Sequence, residues 1–199
     1  MVRKYENTTI RQKQIIDAAR KIIVKYGSEN LTVKKIAKEV GISETAVYRH
    51  YKSKRAILSI LIDSAGETLG EDISNGIRKG NKSLEIMDNV LQGHLSAIEQ
   101  RRGISFQVIA EIVSLGDKKL NIKLSKVIDT YTRRLQELLK EGVRSGEVRE
   151  DIDLKAAAIL IFGMVQGIVN IWALNNYSFD PLQKYVSLWS VFRRAIITR

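Results

Sequence analysis

The chain has 199 residues, a length that supports one or two compact domains with a buried core and needs no disulfide or metal staple. It contains no cysteine, which excludes disulfide frameworks, thiolate zinc sites and cysteine nucleophiles together. With 44% apolar and 28% charged residues it is neither disordered nor fibrous, while 33 Lys+Arg against 22 Asp+Glu leave a net charge of +11 that calls for an anionic partner.

That charge is unevenly spread. Residues 1–60 hold 14 Lys/Arg and 5 Asp/Glu, a balance of +9, and the remaining residues hold 19 and 17, a balance of +2. A basic segment joined to a nearly neutral remainder reads as two functional parts, only one of them electrostatic. The stretch MVRKYENTTIRQK lacks the apolar run of a signal peptide, so the expected compartment is the cytoplasm.

One proline, Pro181, interrupts the chain, and apolar residues recur at helical spacing almost throughout, which predicts an all-α protein. The first helix is expected from Thr9, where Thr9 and Gln12 make a capping-box pattern, with Ile15, Ile16, Ala19, Ile22, Ile23 and Tyr26 on one face. Gly27 supplies its stop. A second helix runs from Thr32 to Val40, Gly41-Ile42-Ser43 turns, and a short third helix continues through His50. Ser53 caps a fourth helix bearing Ile57, Leu58, Leu61, Ile62 and Ala65, after which Gly66, Gly70, Gly76 and Gly80 read as a break. Further helices are expected over Ser83 to Gln100, Ile104 to Ser114, Lys118 to Arg144, Leu154 to Asn175 and Pro181 to Ile197.

Two short helices joined at a glycine turn, LTVKKIAKEVGISETAVYRHYKSK over residues 31–54, form a helix-turn-helix whose second helix enters the DNA major groove. Ala37, Val40, Ile42 and Val47 can hold the pair together. Ser43, Glu44, Thr45, Ala46, Tyr48, Arg49 and His50 then lie on the recognition helix, where small Thr45 and Ala46 allow close approach to base edges and thymine methyls. Tyr48, His50, Lys52 and Lys54 offer donors to phosphate oxygens. Lys54 lies in the first turn of the fourth helix, where a cation opposes the helix dipole; a phosphate there satisfies both the ammonium and the free amides.

GISETAVYRHYKSKRAIL, the preceding LTVKKIAKEV and the helix IIDAARKIIVKYG together resemble the DNA-binding domain of the TetR (tetracycline-repressor) family of transcriptional regulators. The resemblance covers about residues 9–62 and rests on the A-x-x-x-G-I-S turn, the Y-x-H-Y-x-S-K run and the apolar start of the fourth helix. It implies that Lys34 and Ser43 to Arg49 face bases and that Tyr48, His50 and Lys54 hold phosphates of double-stranded operator DNA. Glu44 suits only cytosine as a base reader.

The resemblance divides the chain into a helix-turn-helix domain, 1–62, and a helical ligand-binding and dimerisation domain, 63–199. It implies a homodimer whose last two long helices pair across a two-fold axis. Gly163, Gln166, Gly167, Asn170, Tyr185, Trp189 and Phe192 are the expected interface residues. The 19 uncharged residues 156–174 could alternatively span a membrane, but Gln166 and Asn170 near the middle and the lack of basic flanks favour a dimer-core helix and no membrane. Within one subunit, Gly163 and Gly167 could instead accommodate a bulky neighbour. Val90, His94, Phe106, Ile109, Val113, Tyr131 and Phe162 are the expected walls of an effector pocket. Residues 140–167 resemble the corresponding region of family members that sense fatty acyl-CoA, which implies a long-chain, largely apolar effector. The expected function is therefore a ligand-released repressor. The alternative is an effector-independent structural or cell-division protein on the same DNA-binding fold. With two histidines, no metal spacing and no nucleophile-base set, no enzyme, catalytic residue, cofactor or metal is expected.

Overall fold

The computed structural model describes residues 8–100 and 103–198, apart from the side chains at 24, 28 and 104–107. The elements in order are α1 (Thr8–Tyr26), a 3-10 turn (Ser28–Asn30), α2 (Val33–Val40), α3 (Glu44–His50), α4 (Lys54–Lys79), α5 (Ser83–Gln100), α6 (Ile104–Leu115), α7 (Lys118–Arg144), α8 (Leu154–Leu174) and α9 (Pro181–Ile196). Among the described residues there is no strand, only one antiparallel bridge between Val148 and Ile197. The protein is all-α, as the periodicity predicts.

Two compact units divide the chain. The first comprises residues up to Ser64 together with Gln107–Leu124, and the second Ala65–Phe106 together with Ser125–Arg199. Compared with the division expected at residue 62, the basic unit thus also takes a segment from the middle of the chain.

In the first unit, turn chemistry fixes the helix ends. Gly27 adopts φ +83° and sends its N–H to the Ile23 carbonyl at 3.0 Å, which closes α1. Thr32 caps α2 by accepting from the Lys35 amide at 3.2 Å, and Gly41, at φ +75°, ends it while the Ile42 N–H reaches the Ala37 carbonyl at 2.9 Å. Ser43 and Ser53 cap α3 and α4 through the Ala46 and Ala56 amides, each at 3.2 Å. Thr9, by contrast, lies inside α1 rather than at its cap, because the helix already includes Thr8. Ile15, Ala19, Ile23, Ile36, Val47, Ile57 and Ile62 are all fully buried in this unit.

The glycine-dotted stretch is not a break, and α4 continues through Gly66, Gly70 and Gly76 to Lys79. Leu69, Asp72, Ile73 and Gly76 recur at i, i+3, i+4 and i+7, so the burial period of a helix outweighs the propensity cost of glycine. Gly76 is a notch for α5: a methyl there would overlap Val90 and meet the Ile86 carbonyl oxygen at 3.0 Å. The core of the second unit is built from α5, α7, α8 and α9, with Met87, Leu91, Leu95, Leu135, Leu139, Ile161 and Tyr185 fully buried. Its chain turns are tied by carboxylates. Glu147, just beyond α7, accepts from the Ser83 and Leu84 amides at 3.1 and 3.4 Å and so caps α5 from 64 residues away. Asp153 and Asp180 cap α8 and α9, the latter with Pro181 in its first turn.

Gly76→Ala is expected to cost about 1–3 kcal/mol through overpacking. Gly93→Ala, on the exposed side of α5 with nothing within 4 Å of an added methyl, should instead stabilise by roughly 0.8–1.0 kcal/mol. Chemical denaturation of the two variants checks the pair, and equal effects would contradict the notch.

Candidate nucleic-acid interface

Recognition depends on which face of α3 the core leaves free. Val47 is fully buried and Tyr51, just past the helix, is nearly so, which anchors one side of α3 in the first unit. On the opposite side Glu44, Thr45, Tyr48 and Arg49, spaced i, i+1, i+4 and i+5, are exposed. Tyr48 keeps 48% of its surface open although it is a large aromatic residue. Ala46 and His50 sit half-buried on the shoulders of this face, and Ser43 is exposed with its Oγ already engaged as the cap. Lys34 and Lys52 are exposed on either side in the sequence. The structure therefore brings Glu44, Thr45, Ala46, Tyr48, Arg49 and His50 together on one short helix, with Ser43 at its cap, Lys34 on α2 and Lys52 just past its end.

Lys54 is different. Its ammonium lies 2.5 Å from Glu111 Oε1, with the lysine side chain 30% exposed and the glutamate 8%. Two further ion pairs join the same stretch of α4 to residues 107–124. Arg55 meets Asp117 at 3.3 Å, and Lys123 meets Asp63 at 2.6 Å while also donating to the Ser59 carbonyl and hydroxyl. The Asp117 carboxyl is held below its ordinary range, first by the Leu120 amide and then by Arg55. Sequence reasoning missed Glu111 because it lies 57 positions from its partner; the available signal was a single carboxylate within the otherwise uncharged ISFQVIAEIVSL of α6.

In the second unit the expected pocket residues sort unevenly. His94, Tyr131 and Phe162 form a continuous run of rings, with centroids 5.6 Å apart for His94–Tyr131 and 6.4 Å for Tyr131–Phe162. Val90 is fully buried in the same core. Ile109 and Val113 belong to the first unit, and Val113 is 65% exposed, so it lines no interior. The side chain of Phe106 lies outside the described residues. Asp72, overlooked because its stretch reads as a loop, accepts at 3.1 Å from His94 Nδ1, and both residues are buried. The Tyr131 hydroxyl has no hydrogen-bond partner among the described residues. Burial, and then the Asp72 charge, push its pKa well above the ordinary tyrosine value, so it stays a donor.

The expected interface residues also split. Tyr185, Trp189 and Phe192 point inward, stacked in series and buried in the core, with the Tyr185 hydroxyl donating to Asp88 at 2.7 Å. They are core residues rather than surface ones, since the exposed apolar residues of α9 are Val186, Leu188 and Val191. Gly163 and Asn170 are exposed, and Gln166 and Gly167 half-exposed, on α8. No atom lies within 4 Å of a methyl added at either glycine, so neither accommodates a neighbour within the subunit. Although α8 is long and apolar enough to cross a membrane, Ala158, Ile161, Val165, Ile168, Val169 and Trp172 pack one of its faces into the core.

A basic unit that displays a capped recognition helix, in a chain whose other helical unit is almost neutral, defines a helix-turn-helix DNA-binding regulator. Residues 15–59 match the bacterial regulatory proteins of the tetR family, and residues 65–192 match the YsiA-like protein C-terminal region. The chain belongs to the TetR family of transcriptional regulators. It is similar to the fatty acid metabolism regulator protein of Bacillus subtilis, with 29% identity over 84% of this chain and 86% of that one. It is also similar to the nucleoid occlusion factor SlmA of Vibrio atlanticus, with 25% identity over 94% and 95% of the two chains. Among solved structures it resembles the transcriptional regulator FadR of Bacillus subtilis in complex with stearoyl-CoA, with a TM-score of 0.78, 27% identity and coverage of 90% of this chain and 96% of that one. The family and the two Bacillus subtilis neighbours are regulators.

Tyr48→Phe removes one exposed hydroxyl and nothing from the core. It is expected to weaken binding to any duplex roughly two- to tenfold, the worth of one net hydrogen bond, without moving the thermal midpoint. Fluorescence anisotropy on two unrelated duplexes checks this; lost discrimination with intact affinity would reassign Tyr48 to base reading.

Proposed function

We propose that the protein is a homodimeric repressor that reads a palindromic operator through α3 and leaves it when a fatty acyl-CoA, or a similar long apolar effector, binds the second unit in the cytoplasm. The observation that carries this reading is the similarity to a fatty acid metabolism regulator across most of both chains, joined by likeness to a FadR structure holding stearoyl-CoA. Thr45 and Arg49 are the base readers, with Lys34, Ser43, Glu44 and Ala46 beside them, and Tyr48, His50, Lys52 and Lys54 hold phosphates. Affinity then rests largely on neutralised phosphates and falls steeply with salt.

A homodimer is supported by the outer face of α8. Ile159, Leu160, Gly163, Gly167, Asn170, Ile171 and Leu174 share one side of the helix, opposite the core-facing residues, and Ile159, Leu160, Ile171 and Leu174 are each more than half exposed. The open space over both glycines lets a second helix approach closely. Effector sensing is supported by the buried polar group of Asp72, His94 and Tyr131 within an apolar core, where the free Tyr131 hydroxyl is suited to an acceptor on the effector. Release needs only a differential affinity between two conformers of about 1–3 kcal/mol, or roughly 5- to 150-fold. The similarity to SlmA favours a second reading, a DNA-binding cell-division factor without an effector.

Mobility-shift assays on promoter DNA of its own and neighbouring genes are expected to show retention that stearoyl-CoA abolishes. Preferred binding that no acyl-CoA alters would favour the second reading, and no preference for these promoters would overturn the operator reading. Gly163→Leu should keep helicity and shift the light-scattering mass from two chains towards one; an unchanged dimer would remove α8 from the interface.

A further inference from the structure

The start of α4 offers an anion site that is already filled from within the protein. Lys54 opens the helix, the Ser53 hydroxyl accepts from the Ala56 amide, and the carboxylate lodged against the ammonium is Glu111. This carboxylate is nearly all buried, whereas Lys54 retains about a third of its surface. The neighbouring, more exposed pairs Arg55–Asp117 and Lys123–Asp63 join the same two segments, so Lys54–Glu111 is the most buried member of a set of three. A lysine in this arrangement has one charge and two claimants, because a DNA phosphate at the helix start needs the cation that Glu111 holds.

We propose that Glu111 is an internal stand-in for a DNA phosphate, withholding one phosphate contact per subunit for as long as it pairs with Lys54. The inference rests on the reading of Lys54 as a phosphate ligand and adds the residue that controls its availability. Glu111 touches no DNA; it acts through Lys54. Its place on α6 gives the control a physical handle, because α6 starts in the second unit, at residues 104–106, and carries Glu111 in the first. A small rotation or translation of α6 that moves the carboxylate away frees the ammonium for DNA, and the reverse movement recaptures it. Affinity for duplex is thereby graded without any change in α3.

Because a phosphate contact is independent of sequence, the test needs no operator. Binding of the full-length protein to a random duplex is followed by fluorescence anisotropy over a salt series, for the wild type, Glu111→Gln, Lys54→Gln and the double variant, with thermal unfolding recorded for each. Glu111→Gln is expected to tighten binding and to steepen the slope of log K against log salt by about 0.9 per subunit, the value for one added contact on B-DNA. Adding Glu111→Gln to Lys54→Gln should change neither quantity, which separates release of Lys54 from the mere loss of a negative charge. If Glu111→Gln does not fold, Glu111→Asp, which draws the carboxylate back by one methylene, is expected to move both quantities in the same direction. A slope unchanged or reduced in the folded variant, or an equal effect in both backgrounds, would overturn the proposal. If the wild type shows no salt-dependent binding, the DNA-binding reading falls as well.

Discussion

Three helices belong to both compact units: α4 and α7 start in the first and finish in the second, while α6 runs the other way. The rest of the molecule depends on this sharing. The first turns of α4 follow directly from the recognition helix, and within the first unit they are held by Glu111, Asp117 and Lys123, all from residues 107–124. A reading head built only from the N-terminal stretch would lack those partners. The DNA-facing surface is local in sequence, but the support beneath it is not.

The legibility of the chain follows the same division. Several helix ends in the first unit were readable because they use nearest-neighbour chemistry, namely the Ser53 cap and the glycine turns at Gly27 and Gly41. The cap expected at Thr9 falls inside α1, whereas those at Thr32 and Ser43 were not expected. The exposed arc of α3 followed from the same reasoning, since burying Val47 leaves Glu44, Thr45, Tyr48 and Arg49 outside. What escaped was set by tertiary packing. Glycine in isolation reads as a breaker, yet Gly76 lies in a helix because Val90 and Ile86 press against it. On α9 the large aromatics look like interface residues, but Tyr185, Trp189 and Phe192 fill the subunit core and leave Val186, Leu188 and Val191 as the large apolar side chains outside. Lys54 was readable as a cation at a helix start, while its partner on a distant helix was not.

The two units also differ in how they stabilise themselves. The first carries most of the excess positive charge and adds to its buried aliphatic core the inner pair Lys54–Glu111 and two exposed or half-exposed pairs, the latter each worth little by itself in water. The second buries an apolar cluster that encloses Asp72, His94 and Tyr131, and the unsatisfied Tyr131 hydroxyl there carries a cost that a ligand supplying an acceptor would relieve. In the proposed function these are the contrasting properties of a surface that meets phosphate and an interior that meets an apolar molecule. The TetR family assignment accounts for both within one chain.

In the proposed function DNA is read by α2 and α3 of the first unit while the second unit remains free for a ligand. Hydrogen-exchange mapping of the full-length chain, with and without saturating duplex DNA, tests it most directly. Slowed exchange is expected at the amides of residues 33–56, with no change along α8 beyond that produced by dimer formation. Protection confined to the second unit, or absent from residues 43–50, would contradict it.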